Sequence, residues 1–150
     1  MLLESLLAYA HISAVLLLAV FLSSKIALMR PEVLEGRPLL CERLLRLDLW
    51  SWGSFGAVAA SGLARMTWGA KGWHWYAGQP LLWTKLALFA LMLAMALPAR
   101  RALLRWRRRA HHGSSFADDA EIRAQRRWLM WQAHVMVILP LLGALLAYGF

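Results

Sequence analysis

Four long apolar runs set the limits on this fold. They extend from about Leu2 to Met29, Leu44 to Trp68, Pro80 to Leu97 and Trp128 to Tyr148. Each is near the ~20 residues that cross a ~30 Å hydrocarbon core. In lipid a segment must satisfy its own backbone hydrogen bonds, which leaves the helix as the only reading for such runs. A barrel needs short segments of alternating hydrophobicity, and the sequence has none. Pro31 after Arg30 stops the first helix, and Pro80 suits the first turn of the third. The expected architecture is an all-α integral membrane protein. It is one four-helix transmembrane bundle over residues 1–150, with helices over about 2–29, 44–68, 80–108 and 120–148.

Charge then sets orientation and partners. The net charge is +9 with 61% hydrophobic residues, and the mean hydropathy is +0.51. A basic soluble chain would point to nucleic acid. Here the basic residues lie mostly between apolar runs, so they read as orientation signals and contacts to anionic lipid headgroups, and nucleic acid is excluded as a partner. Arginines crowd the stretch from Arg100 to Arg127, and Arg30, Arg37, Arg43 and Arg46 follow the first run. With four spans these two segments share a side. The positive-inside rule makes loops 30–43 and 98–127 cytoplasmic and puts both termini outside. The N-terminus lacks the basic region and cleavage pattern of a secretory signal, so the first run is read as a retained helix. One cysteine, Cys41, excludes an internal disulfide and a cysteine-rich cluster. A homo-oligomer is compatible with the chain, but no residue requires one.

Ionisable side chains inside a span are expensive and mark functional candidates. Glu4, His11 and Lys25 fall near one stripe of the first helix, which should face the bundle. Lys25 and Asp48 sit near the inner boundary and read as a structural ion pair. His11 and Lys85 lie in the outer half, and His134 is nearer the middle of the last helix. Met92 shares the Lys85 face; a thioether is either a soft packing group or an axial haem ligand. Gly53, Ala57 and Ser61, with Gly56, Ala60 and Ala64, make small-residue ladders that suit close helix packing or a flat cofactor. The connection Trp68-Gly-Ala-Lys71-Gly-Trp73-His74-Trp75-Tyr76, followed by Trp83, reads as an interfacial aromatic belt or as the cap of an outward-opening site. His111 and His112 sit among arginines and read as solvated. Phosphate loops, zinc-protease motifs, nucleophile elbows and the broken paired helices of transporters are all missing.

The segments Ala8-Tyr9-Ala10-His11, Arg46-x-Asp48, Gly62-x-x-Arg65, Gly69-x-Lys71-Gly72 and Pro80-x-x-Trp83-x-Lys85-Leu86-x-Leu88-Phe89 together resemble a bacterial family of small membrane proteins, the domain of unknown function 2214. The likeness runs over nearly the whole chain. The family pattern has Asn before the proline, and this chain has Gln79. More distantly, His11 with the Lys85-Leu-Ala-Leu segment resembles the HemJ family of membrane protoporphyrinogen oxidases. That resemblance implies haem b and porphyrinogen oxidation, with His11 on the iron and Lys85 as the catalytic candidate holding an anionic group. Arg65, Lys71, Tyr76 and Trp83 then belong to the cofactor's surroundings, with Met92 and His134 as further candidate ligands. Two other functions stay open: a non-enzymatic accessory membrane subunit, and a quinone or lipid site lined by Trp73, Trp75, Tyr76 and Trp83.

Overall fold

The computed structural model describes residues 2–34, 38–69, 71–112 and 117–148; Arg37 and Ala70 of the two connections lie outside this set. Within it every element is helical. These are α1 (Leu2–Leu28), α2 (Pro31–Leu34), α3 (Pro38–Trp68), α4 (Gly72–Ala77), α5 (Pro80–His111) and α6 (Asp119–Tyr148). The predicted helices are all present, and two short ones join them. α3 begins six residues earlier than the apolar run suggested, at Pro38. α5 passes through Pro98, on an exposed edge, and continues to His111. Gly72 starts α4 at φ +70°, a backbone that side-chain-bearing residues rarely adopt.

The four long helices pack in cyclic order α1, α3, α5, α6, each beside its chain neighbour and α1 closing against α6. Cross-contacts show that neighbours are antiparallel. Lys25 of α1 meets Asp48 of α3, while His11 meets Ser61. Arg109 meets Glu121 at one end of the α5–α6 pair, and Gln132 meets Met92 further along. One end of the bundle therefore gathers the start of α1, the end of α6 and the Trp-rich α4. The other gathers α2 and the arginines. These are called the tryptophan end and the arginine end below.

By length and composition, α1, α5 and α6 are each able to cross a membrane. α3 has the length, at 31 residues, but not the composition. Glycines, serines and tryptophans dilute its apolar centre, and charges occupy both its ends. The bundle is dressed for lipid, with Leu6, Ile12, Leu16, Val20, Trp131 and Val137 on its outside. Apolar burial drives little when the solvent is itself apolar, so shape and hydrogen bonds hold the interior. α1 buries His11, Ala14, Leu18, Leu22 and Lys25 at three- and four-residue intervals. Leu18, Phe55, Met92 and Met136 fill the middle, with Phe89 packed against Phe55 at 5.7 Å between ring centroids. Two α6 side chains donate to α5 carbonyls: Trp128 Nε1 to Met95 O at 2.8 Å and Gln132 Nε2 to Met92 O at 2.9 Å.

Nearer the arginine end, Asp48 joins three helices. Its Oδ1 accepts from Lys25 Nζ and its Oδ2 from Arg100 Nη1, both at 3.1 Å. The Lys25–Asp48 pair expected from depth alone is present, and Arg100 completes it. Asp48 and Lys25 are essentially solvent-free, whereas Arg100 is 39% exposed. The guanidinium thus leads from the buried pair outward, lying 5.9 Å from the Trp52 ring.

Candidate functional site

The second polar layer lies toward the tryptophan end, where all four long helices contribute. α1 supplies His11, seven residues after Glu4 and fourteen before Lys25, on the buried stripe. α3 supplies Ser61, whose Oγ lies 2.9 Å from His11 Nδ1. The serine hydroxyl has one hydrogen, and backbone carbonyls take it: Ala57 O at 2.6 Å and Val58 O at 3.2 Å. The Ser61 oxygen is therefore the acceptor and His11 Nδ1–H the donor. In the neutral tautomer fixed this way, Nε2 carries the lone pair.

Two glycines make room for the site. A methyl group on Gly62 of α3 would stand 3.3 Å from His11 Cε1, tighter than ordinary contact. The imidazole therefore lies flat against α3 backbone. On α6, a methyl group at Gly143 would stand 3.2 Å from Lys85 Nζ. The lysine thus crosses from α5 and ends against the α6 backbone. Arg65, at the end of α3, interacts electrostatically with both His11 and Lys85. Among the described residues no acidic side chain pairs with Lys85 or Arg65. Two cations in a low-dielectric layer without a carboxylate partner make a strong local positive field.

α4 lies across this end, between α3 and α5. Trp75 and Tyr76 pack edge to face at 5.0 Å between centroids and rest on Met66, Leu82 and Leu146. Lys71 Nζ sits 3.8 Å from the Trp75 ring centroid, a cation–π contact. Trp83 is largely exposed and donates from Nε1 to Ala77 O at 3.0 Å, tying α5 to α4. Lys71, Tyr76 and Trp83 thus build the cap of the layer.

The other two sequence candidates fall elsewhere. Met92 lies two turns along α5 from Lys85, fully buried in the apolar middle of the bundle. His134 is on the exposed face of α6, with Nδ1 2.7 Å from Met130 O and its ring 5.9 Å from that of Trp131. The structure brings His11, Lys85 and Arg65 together and leaves His134 outside. The small-residue ladder foresaw close packing or a flat cofactor at Ser61 but not its hydrogen bond to His11, and the sequence gives no sign of the contacts at Gly62 and Gly143. Ser61 and Gly62 were visible as small residues on α3, but only the packing shows what they accommodate. No group of three or more His, Cys, Asp or Glu side chains able to hold a metal ion occurs among the described residues.

Comparison with known proteins gives one match. A family model described as "Predicted membrane protein (DUF2214)" matches residues 3–150. No curated protein matches the chain, and no solved structure does.

Proposed function

The chain belongs to the DUF2214 family of predicted membrane proteins, and we propose that it is a four-span haem b protein of HemJ-like redox function, oxidising a porphyrinogen at the tryptophan end. The observation that carries the haem reading is the hydrogen-bond chain from His11 through Ser61 to the Ala57 carbonyl. Ligating histidines commonly donate their other ring N–H to a fixed acceptor, which orients the ring and raises its basicity. His11 has that arrangement, with Nε2 left for iron. The unpaired Lys85 and Arg65 suit the two carboxylates of a porphyrin. Lys85 and Arg65 would hold these carboxylates. Bound haem supplies one-electron chemistry; the protein's part is to hold iron, neutralise carboxylates and cap the site with α4. Met92 and His134 are not placed beside His11, so His11 alone would hold the iron.

The fourth span is α3. It runs beside α1 from Lys25–Asp48 to His11–Ser61 and so shares the depth of a helix that crosses. Between its charged ends, Asp48 and Ser61 meet partners on α1 and Ser51 and Ser54 bond carbonyls of their own helix, which lowers their cost in lipid. With four spans, the arginine end is cytoplasmic and the termini periplasmic in a bacterial inner membrane. The test is an absorption spectrum of the purified protein after haem supplementation. A Soret band is expected for the wild type. It should be lost in His11→Ala, and shifted or weakened in Ser61→Ala, where the ring loses its acceptor. A wild-type protein that takes up no haem refutes the reading and favours a non-enzymatic accessory role.

A further inference from the structure

A second site lies at the opposite end of the bundle, between α2 and the first turns of α6. There a cleft of about 590 Å³ is lined by Arg30, Pro31, Glu32, Val33, Arg123 and Arg126. A neighbouring hollow of about 430 Å³ is lined by Ala120, Arg123, Arg126, Arg127 and Met130. Arg123 and Arg126 border both. We propose that this double cleft binds the phosphate headgroup of an anionic phospholipid, with the acyl chains running along the outer face of α6.

Charge is the first support. The cleft gathers four arginines and one carboxylate, Glu32. Three arginines outside the cleft are paired at this end: Arg100 with Asp48, and Arg105 and Arg109 with Glu121, at 3.4 and 2.9 Å. Among the described residues the sole ion pair in the cleft is Arg123 with Asp119, long at 3.7 Å, one turn apart on α6 and exposed on both sides. Such a pair is weak and easily exchanged for a better anion. The second support is an orphan donor. Arg126 Nε is buried without an acceptor among the described residues. A buried guanidinium N–H normally finds one, and arginine's planar fork matches phosphate oxygens.

The third support separates a lipid from free phosphate. Met130 is part of the hollow, and the exposed surface of α6 continues through Trp131, Val137 and Leu141. A cationic floor that runs directly into an apolar stripe fits an amphiphile. Trp128 and Trp131 follow Arg126 and Arg127 along the helix, as expected where the headgroup region gives way to hydrocarbon.

Native mass spectrometry of the full-length protein released from detergent tests the assignment. Three probes are compared: phosphatidylglycerol, phosphatidylcholine and inorganic phosphate. The wild type is expected to retain phosphatidylglycerol in preference to phosphatidylcholine. One surface arginine is worth roughly a fivefold change in anionic lipid binding. Arg126→Gln and Arg30→Gln should each lower the phosphatidylglycerol adduct about that much, and Arg123→Gln/Arg126→Gln roughly twenty-five-fold. Arg108→Gln, on the exposed face of α5 outside the cleft, should leave it unchanged. Unchanged adducts in all the cleft variants overturn the site. Equal losses in Arg108→Gln reduce it to nonspecific charge. Inorganic phosphate displacing the lipid at comparable concentration overturns the lipid assignment. A cleft variant that fails to fold leaves the other substitutions to decide the matter.

Discussion

Replacing Asp48 by Asn removes one negative charge from a site with no other acid in contact and leaves two cations facing each other. Lys25 and Asp48 are 1% and 0% exposed. The ammonium then remains in the bundle with a neutral amide at 3.1 Å where a carboxylate stood. Breaking a buried pair from one side costs about 3–5 kcal/mol, chiefly the cost of the stranded charge. Arg100 contributes less, because its side chain is 39% exposed and can turn toward water or headgroups. Losing the Arg100 contact alone is therefore worth about 1 kcal/mol or less. The prediction is an ordering: Asp48→Asn loses about 3–5 kcal/mol and Arg100→Gln about 1 kcal/mol or less. Lys25→Met with Asp48→Leu recovers most of the loss, because no charge is left stranded. Thermal unfolding in detergent, followed by size-exclusion recovery, reads this order; for a chain of this length the Asp48→Asn shift is on the order of 10 °C. An Asp48→Asn protein as stable as wild type would refute the reasoning. So would a double variant no better than the single one, since the damage could not then come from an unpaired charge.

Other outcomes follow from the same contacts. Gly143→Val places a branched side chain where Lys85 Nζ now rests, 3.2 Å from an added methyl carbon. The ammonium must move, and haem retention should fall severalfold while the helical content by circular dichroism stays constant. Loss of helix together with haem would instead mean that Gly143 serves packing alone. Cys41, 1% exposed and facing the Leu103 carbonyl, should resist maleimide in the folded protein and react fully in denaturing detergent. Rapid labelling of the folded protein would contradict the packing of α3 on α5.

Much of this structure was legible in the sequence because lipid restricts the choices. Four apolar runs left only helices, and the seven-residue spacing of His11, Leu18 and Lys25 put them on one buried stripe. The start of α3 was hidden because its first turns are amphipathic. Cys41, Leu44 and Asp48 point inward while Arg43 and Arg46 face out, so no apolar run marks the helix. His134 shows a different limit. Depth along a helix says nothing about direction around it, and the buried positions Leu129, Gln132, Met136 and Leu139 place residue 134 on the far side. Arg100 reaches Asp48 only because α5 continues through Pro98. The roles of Gly62 and Gly143 depend on what neighbouring helices place against them, which no single helix encodes.

The apolar middle layer divides the molecule electrically. His11 and Lys25 are separated by fourteen residues of one helix, roughly 21 Å. Among the described residues no acid or base points into the bundle between those two layers: Leu18, Phe55, Phe89, Met92 and Met136 fill the space together with Gln132, and His134 faces outward. Such a layer keeps the buried charges of the two ends apart. If the proposed site at His11 and Lys85 works, its protons and carboxylates are expected to come from the tryptophan side.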